Sequence, residues 1–281
     1  MGEIAFLNGD ILPIAEARVS VNDRGFLFGD GVYEVMRTYA GRIWALEPHL
    51  ERLGRSMRCI DLKGPALGEI RSCVEDTYRR SELPDAQIYL ELTRGVAPRT
   101  HAFPAAAQPT FLITVCSAKG PSQEERERGA RIITAPDTRW ARCDIKSVNL
   151  LPNVLAKQQA KSVGAFEAVF VRAGGQVTEG SSTSLFAVKA GRLLTREEGP
   201  HILSGITRRI VLDLARELNV AADEGPFSLQ ELLQADEVFL TGTTTEIMPV
   251  VTVNDRSIGA GVPGPVARTL YNAFRRRIEG P

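Results

Sequence analysis

The spacing of hydrophobic and polar residues predicts strands and helices in separate runs along the first part of the chain. Short apolar runs bounded by turn residues predict strands at Val32–Tyr39, Gln87–Thr93 and Thr110–Cys116. Apolar residues three and four positions apart predict a helix that begins near Pro48 and another over Leu67–Arg80. This part of the chain is therefore expected to form a mixed lobe of sheet and helices.

A charged, turn-rich segment at residues 121–129 is interpreted as a linker between two lobes. Helices and strands alternate beyond it. They are predicted at Ala130–Thr134, Leu151–Val163, Glu167–Arg172, Ser184–Lys189, Ile206–Leu218, Glu237–Thr241 and Val250–Val253, with short or terminal helices near Leu229 and from Val266. We therefore predict an α+β protein with a small lobe over residues 1–120 and a larger lobe over residues 130–281.

The balance of charges narrows the class of function. The 281 residues include 34 Lys and Arg against 34 Asp and Glu, which gives a formal net charge of zero. A neutral total argues against long-range attraction to nucleic acid or to an anionic membrane. Small-molecule chemistry is the function that this composition favours.

Cysteine usage and the start of the chain bear on metal binding and on location. The four cysteines lie far apart, without a C-x-x-C pair or a histidine at zinc-ligand spacing, so no metal site is predicted. The chain opens without the pattern of a secretory signal, and no segment reaches the apolar length of a membrane span. We expect a cytoplasmic protein with reduced thiols.

Lys146 is a candidate nucleophile. It has apolar neighbours in a chain that mostly uses arginine for its positive charge, and lysine, unlike arginine, can lose its proton and attack a carbonyl. An ion pair with Asp144 at the end of a strand is the alternative, and for this window alone it is the commoner outcome.

Three further clusters could bind an anion or a polar ring. Glu179 precedes small hydroxyl residues, so its carboxylate could hold a protonated ring nitrogen, or the segment Thr178–Ser184 could be a polar loop. Gly205–Thr207 at the start of a helix and Thr241–Thr245 after a strand offer N–H and hydroxyl donors for phosphate. Simple helix caps are the alternative for their threonines.

Arg99 and His101 stand two positions apart in a proline-bounded loop, so both can point the same way if the loop is extended. An arginine fork with an imidazole suits a substrate carboxylate. A solvated loop is the usual outcome for such residues.

Taken in order, these segments resemble the fold-type-IV pyridoxal-phosphate aminotransferases, which include branched-chain aminotransferases, D-amino-acid transaminases and aminodeoxychorismate lyases. The resemblance extends from about Asn8 to Val253 and rests on Lys146, the loop Glu179–Ser182 and the segment Gly205–Arg208. It implies a two-lobe α+β fold, with a small lobe and a larger pseudo-barrel lobe. It also implies pyridoxal 5'-phosphate between the lobes and a homodimer whose second copy helps to close the site.

The resemblance implies roles for individual residues. Lys146 would be the catalytic residue that holds the cofactor as a Schiff base, Glu179 would pair with the pyridine nitrogen, and Arg52 would bind the phosphate. The remaining cofactor ligands that it implies are Ser182, Ile206, Thr207, Thr243 and Thr244.

Within the family, the segments Gly31–Val35 and Pro98–His101 are similar to those of D-amino-acid transaminases. The resemblance implies that Tyr33, Arg99 and His101 bind the substrate α-carboxylate. The expected reaction is transfer of the amino group of a D-amino acid, such as D-alanine or D-glutamate, to a 2-oxo acid by a ping-pong mechanism.

Three alternatives stay open at this point. A branched-chain L-amino-acid aminotransferase would share Lys146 and Glu179 but reverse the substrate pockets, and Arg99 and His101 argue against it. An aminodeoxychorismate lyase would use the same cofactor and release pyruvate. A ligand-binding protein that has kept the scaffold would not bind the cofactor.

Overall fold

The computed structural model describes residues 2–280, which divide into two compact units. The first unit comprises residues 2–119 together with Ile145–Asn149, and the second comprises Gly120–Asp144 and residues 150–280. Segment 121–129, predicted to be a linker, lies in the second unit and contains a helix. Ile145–Asn149 belongs to the first unit because Ile145 is buried in that unit's hydrophobic core.

The first unit is an antiparallel sheet with helices. In chain order its elements are β1 (Ile4–Leu7), β2 (Asp10–Pro13), a 3-10 turn (Ile14–Glu16), α1 (Arg24–Phe28), β3 (Gly31–Tyr39), β4 (Arg42–Ile43), α2 (Leu46–Cys59), α3 (Leu67–Ser81), β5 (Ala86–Thr93) and β6 (Thr110–Ser117). The six strands follow the order β2-β1-β6-β5-β3-β4.

Alternation along β3 separates two faces of this sheet. Val32, Glu34 and Met36 are fully buried, whereas the intervening Tyr33 and Val35 are only half-buried, as expected for a strand with a period of two. Helices α2 and α3 pack on the sheet and bury Leu53, Ile70 and other apolar side chains with it. Each such side chain contributes about 1.5–3 kcal/mol through burial.

The second unit is built on a mixed sheet of nine strands. Its elements are α4 (Gln123–Arg128), β7 (Ala130–Pro136), α5 (Leu151–Ser162), β8 (Glu167–Val171), β9 (Val177–Gly180), β10 (Ser184–Lys189), β11 (Arg192–Thr195), α6 (Ile206–Glu217), β12 (Ala222–Glu224), α7 (Leu229–Leu233), β13 (Glu237–Gly242), β14 (Glu246–Val253), β15 (Arg256–Ser257) and α8 (Pro265–Glu279). The strand order is β12-β11-β10-β13-β14-β7-β8-β9, with β15 paired to β14.

Helices cover this sheet at two places. α6 and α8 pack on β13 and on each other, and α8 also packs on β14. α5 packs on β7 and β8 through small residues, among them the fully buried Ala160 and Ala168, which allow close approach of the helix to the sheet. Within residues 2–280, none of the helices is long and apolar enough to cross a membrane.

The predicted α+β content is confirmed, and most predicted elements are present within a few residues of their expected bounds. The interpretation of Thr178–Ser184 as a polar loop is wrong in part. Val177–Gly180 form strand β9, and all four residues are buried. The hydroxyl residues that follow, Ser181–Thr183, donate hydrogen bonds to the buried carboxylate of Glu167.

Candidate active site

Lys146 is held against the first unit's sheet by its main chain. Its N–H donates to Ser56 Oγ at 3.2 Å, and its carbonyl accepts the N–H of Tyr33 at 3.0 Å. Its Nζ lies 4.1 Å from the centre of the Tyr33 ring. Within residues 2–280 it has no ion-pair partner, and the carboxylate of Asp144 binds Arg142 instead. The ion pair considered as the alternative is therefore not formed.

Tyr33 connects Lys146 to a second aromatic residue. The Tyr33 ring stacks on Tyr89 with centroids 5.6 Å apart, and the Tyr89 hydroxyl donates to Glu91 Oε2 at 2.5 Å. Burial and the nearby Glu91 raise the pKa of the Tyr89 hydroxyl, and burial also raises the pKa of Glu91. The Tyr33 ring, which contacts Lys146, thus packs against Tyr89, whose hydroxyl stays protonated.

Arg52 takes part in a buried cluster on the helix-covered face of the sheet. Its Nε and Nη2 donate to the two carboxylate oxygens of Glu34 at 2.7 and 2.8 Å, and His49 Nδ1 lies 2.8 Å from the same carboxylate. Burial alone would raise the pKa of Glu34, but the charge and hydrogen bonds of Arg52 outweigh it and hold that pKa well below its usual range. Burial lowers the pKa of His49.

The contacts of Glu34 and His49 in this cluster were not predicted from the sequence. Their meeting depends on the packing of α2 against β3, which no local motif reveals. One signal was available: His49 and Arg52 stand three positions apart and therefore share a face of the helix.

Glu179 is buried on β9 and paired with Arg139 of the second unit. Arg139 Nη1 donates to Glu179 Oε1 at 2.6 Å, and the N–H of Leu203 donates to Oε2 at 3.0 Å. Burial raises the pKa of Glu179, although both donors act in the opposite direction. Arg139 also binds Asp137 through Nε and Nη2, at 2.9 Å each, and its guanidinium lies 4.3 Å from the Phe170 ring centre.

The hydroxyl residues after Glu179 converge on Glu167, whose side chain is fully buried. Its carboxylate accepts the hydroxyls of Ser181, Ser182 and Thr183 at 2.5, 3.0 and 3.3 Å. Because the Ser182 hydroxyl is already donated to Glu167, its main-chain N–H is the group that could donate to a ligand. Glu167 was missed from the sequence because it lies 14 to 16 residues before the hydroxyls that it binds.

Close contacts connect the two segments of the second unit that are predicted to bind phosphate. α6 begins after Gly205 without a side-chain cap, so Thr207 is not its cap residue. A Cβ on Gly205 would stand 2.5 Å from Ser184 Oγ, and Ser184 is paired in register with Thr241. The next residue, Gly242, approaches Thr183. These contacts bring the start of α6, with Ile206 and Thr207, to the strand end that leads to Thr243 and Thr244.

One buried donor at this place is unsatisfied. Thr241 Oγ1 has no hydrogen-bond partner among residues 2–280, and the residue is 1% exposed. A buried hydroxyl without a partner is costly, so such an atom suits a ligand that accepts hydrogen bonds. Within the same residues, no three His, Cys, Asp or Glu side chains form a group that could hold a metal ion.

Arg99 and His101 both lie against Phe28, with the Arg99 guanidinium 5.2 Å and the His101 ring 5.6 Å from the centre of its ring. Both side chains therefore contact the same ring. Arg24 stabilises the loop that carries Arg99 and His101 by donating to the carbonyls of Thr100 and His101 at 2.6 and 3.2 Å. The third predicted residue of this set, Tyr33, lies elsewhere in the same unit, against Tyr89 and Lys146.

Comparison with known proteins gives a consistent picture. Residues 31–253 match the family described as amino-transferase class IV. The D-alanine aminotransferase of Staphylococcus haemolyticus is 38% identical over 275 residues, which cover 98% of this chain and 97% of that relative. The D-alanine aminotransferase of Bacillus licheniformis is 39% identical, covering 96% of this chain and 95% of the relative.

Solved structures place the fold in the same family. The branched-chain amino acid aminotransferase of Escherichia coli superimposes with a TM-score of 0.91 at 27% identity, covering 98% of this chain and 94% of that one. The corresponding enzyme of Thermobaculum terrenum, in its PLP-form, gives a TM-score of 0.86 at 27% identity, with 98% and 93% covered. The predicted fold-type-IV architecture is therefore confirmed. This chain belongs to the class IV aminotransferases, whose cofactor is pyridoxal 5'-phosphate.

Proposed function

We propose that this chain is a transaminase that transfers the amino group of a D-amino acid, such as D-alanine or D-glutamate, to a 2-oxo acid by a ping-pong mechanism. The observation that supports the proposal is the position of Lys146. Its Nζ lies against the Tyr33 ring and has no ion-pair partner among the described residues. It does so in a chain that aligns over nearly its whole length with two D-alanine aminotransferases.

The side chains present fit pyridoxal 5'-phosphate. An anionic phosphate suits the uncapped start of α6, where N–H groups and the helix dipole attract negative charge. The unsatisfied Thr241 hydroxyl adds a donor next to Ser184 and Gly205. A buried carboxylate at Glu179 suits a protonated ring nitrogen.

The residues that would hold the cofactor are assigned as follows. Lys146 would bind its aldehyde covalently, and Glu179 would accept a hydrogen bond from its ring nitrogen. Arg52, whose guanidinium is oriented by Glu34, would donate to the phosphate. The other proposed phosphate ligands are Ile206, Thr207, Thr243 and Thr244, and Ser182 is a further proposed cofactor ligand.

The chain's own residues would carry the proton transfers. Bound pyridoxal phosphate supplies an electron sink for the electron pair released when the Cα–H bond of the substrate breaks. Nζ of Lys146 would accept the proton from Cα of the D-amino acid, and in the reverse half-reaction it would return a proton to C2 of the 2-oxo acid. The Tyr33 ring, 4.1 Å away, would hold the lysine side chain in place during these steps. Glu179 would keep the ring nitrogen protonated.

The substrate α-carboxylate would be bound by Tyr33, Arg99 and His101. An arginine fork with an imidazole provides directional donors for a carboxylate, and Arg99 and His101 both contact the Phe28 ring. The Tyr33 phenol, which lies apart from them against Tyr89 and Lys146, is proposed as a further donor. A carboxylate bound by these residues would orient a D-amino acid so that its Cα hydrogen faces Lys146. We further propose that a second copy of the chain helps to close the site, so that the active form is a homodimer, and that the enzyme works in the cytoplasm.

A branched-chain L-amino-acid aminotransferase is the second candidate, because solved structures with that name superimpose on the chain with TM-scores of 0.91 and 0.86. Their identity of 27% is below the 38 to 39% of the D-alanine aminotransferases. A lyase that acts on aminodeoxychorismate is a third candidate, which pyruvate release without an amino acceptor would identify.

The test is a half-reaction followed by absorbance. The visible absorption band of the bound cofactor is recorded for the purified protein, and D-alanine or L-leucine is then added in separate cuvettes. We expect D-alanine to bleach the band and L-leucine to leave it. Lys146→Ala should lose this response, whereas Lys161→Ala, which removes an exposed lysine of α5, should keep it. Bleaching by L-leucine alone would favour the second candidate, and a protein that never takes up the cofactor would refute the enzyme proposal.

A further inference from the structure

The turn between β13 and β14 carries Thr243 and Thr244. Arg126 of helix α4 stabilises the end of this turn that leads into β14. Arg126 Nη1 donates to the carbonyls of Thr245 and Ile247 at 2.8 and 2.6 Å. Its Nη2 donates to Glu246 Oε2 at 3.0 Å. The arginine is 6% exposed, so these bonds are formed in a site largely shielded from water.

The residue at the centre of these contacts has an unusual backbone conformation. Glu246 has φ +58°, in the left-handed region that residues other than glycine seldom adopt. Its buried carboxylate is held between Arg126 and Arg275, whose Nη1 lies 3.2 Å from Oε1. Strain of this kind persists only where the surroundings fix the conformation. The two arginines bind the side chain of the residue at which β14 begins, and their hydrogen bonds support its backbone conformation.

The other end of the turn faces the proposed phosphate ligands. Gly242 approaches Thr183, and Thr241 precedes it with an unsatisfied buried hydroxyl. Thr241 is paired with Ser184, which abuts Gly205 at the start of α6. Arg126 thus binds the chain at Thr245–Ile247, on one side of the turn. On the other side, β13 leads into the turn and connects to the start of α6 through Ser184.

We propose that Arg126 is a positioning residue for the cofactor phosphate. It would not touch the phosphate, but it would hold Thr243 and Thr244 at the distance from Gly205 that lets both sets of donors reach one anion. The inference rests on the proposed function, because it takes Thr243 and Thr244 as phosphate ligands. The aldehyde end of the cofactor should not be affected by Arg126.

The experiment compares two aldehydes that differ only in the phosphate. Full-length protein freed of cofactor is titrated with pyridoxal 5'-phosphate and, separately, with pyridoxal, and binding is followed by visible absorbance. For Arg126→Met we expect the Kd for pyridoxal 5'-phosphate to rise about tenfold or more, which is the size of the loss of metal affinity when a residue that orients a metal ligand is replaced. The Kd for pyridoxal should change less than about twofold.

Arg275→Met is the matched control. It removes the same charge from the same carboxylate but leaves the three bonds that Arg126 makes to the turn. We expect it to weaken binding of pyridoxal 5'-phosphate much less than Arg126→Met. Equal weakening by both variants would mean that charge, and not the shape of the turn, is responsible, and would overturn the proposal.

Other outcomes separate this inference from the proposed function. If wild type binds pyridoxal 5'-phosphate and Arg126→Met binds it as tightly, or loses both aldehydes equally, Arg126 has no role in positioning and the transaminase proposal still stands. If wild type binds neither aldehyde, the cofactor assignment itself fails. If Arg126→Met does not fold, Arg126→Lys is measured instead. A single ammonium cannot replace a guanidinium that donates to two carbonyls and a carboxylate at once.

Discussion

Arg139 and Glu179 form a buried ion pair in which Nη1 of the arginine lies 2.6 Å from Oε1 of the glutamate. Arg139 is itself held by Asp137, whose pKa is low because the hydrogen bonds and charge of Arg139 outweigh the effect of burial. Burial raises the pKa of Glu179 even with this partner present. The ionised form of Glu179 thus depends on Arg139, and this dependence can be tested.

Replacement of Arg139 should reduce turnover through Glu179. Without the guanidinium, the pKa of Glu179 should rise further, so its ionised form is lost at a higher pH and the acidic limb of the activity profile should move upward in pH. Loss of a hydrogen bond to a charged group costs about 1.5–3 kcal/mol, so kcat of Arg139→Met should fall roughly 10- to 100-fold. The pH dependence of kcat with D-alanine measures both effects.

Arg142→Met is the matched control for that prediction, because Arg142 lies three residues further along the same segment and binds the partly exposed Asp144. Its profile should match that of wild type. An Arg139→Met enzyme with reduced kcat but an unchanged acidic limb would show that Arg139 stabilises the fold locally without controlling the charge of Glu179.

Arg24 should control substrate affinity from a distance. It is 2% exposed, and it donates to the carbonyls of Thr100 and His101. Its Nε donates to the carboxylate of Asp30 at 2.8 Å. If Arg99 and His101 bind the substrate carboxylate, Arg24→Met should raise KM for D-alanine about tenfold, as expected for about one lost hydrogen bond, with little change in cofactor binding. Initial rates over a range of D-alanine concentrations measure KM and kcat separately.

Arg18→Met provides the comparison for Arg24. Arg18 also donates to main-chain carbonyls, those of Ala15 and Ala17, but it is exposed and lies outside the Arg99 loop. KM should stay at the wild-type value. A fall in kcat without a rise in KM for Arg24→Met would argue against a role in holding the carboxylate loop.

From local motifs the sequence predicted Lys146, Glu179 and the start of α6 as site residues, and these roles stay predictions. Each stands in a short segment with a characteristic pattern of residues. The α3 helix was predicted as Leu67–Arg80 and observed as Leu67–Ser81, since its apolar spacing is regular. Such features need no knowledge of distant contacts.

The parts that were missed depend on contacts between distant segments. Arg126 meets residues about 120 positions away, and Glu34 meets Arg52 through the packing of α2 on β3. Arg139 lies 40 positions before Glu179 and has no motif of its own. Hydrophobic periodicity identifies which residues are buried, but it does not identify which buried charges will pair.

Glu167 should stabilise the segment that follows Glu179. Its buried carboxylate accepts three hydroxyls and the N–H of Ala168. Glu167→Ala would leave buried polar groups unsatisfied and should lower the free energy of unfolding by about 3 kcal/mol. Ser182→Ala removes the exposed member of the set and should cost less than about 1 kcal/mol. Urea unfolding measures both, and equal stability of Glu167→Ala and wild type would refute the prediction.

Glu34 should make the stability of the protein depend on pH in the acidic range. Its pKa is lowered in the folded state, so its ionised form stabilises the fold fully above the ordinary glutamate pKa of about 4.3. As the pH falls below that value, the unfolded chain takes up the proton first and this stabilisation is lost. At neutral pH, Glu34→Gln should lower the free energy of unfolding by about 3–5 kcal/mol, because it breaks a buried ion pair.

The decisive measurement is the difference in unfolding free energy between wild type and Glu34→Gln, obtained by urea titration at several pH values from neutral to below the ordinary glutamate pKa. Because only wild type loses stability through protonation of Glu34, the difference should narrow as the pH falls. Glu75→Gln is the control, since Glu75 is exposed and 4.0 Å from Arg71, and it should change stability by less than about 1 kcal/mol at every pH. A difference for Glu34→Gln that stays constant with pH would mean that the carboxyl contributes through packing alone, and that Arg52 is held in place without the charge of its partner.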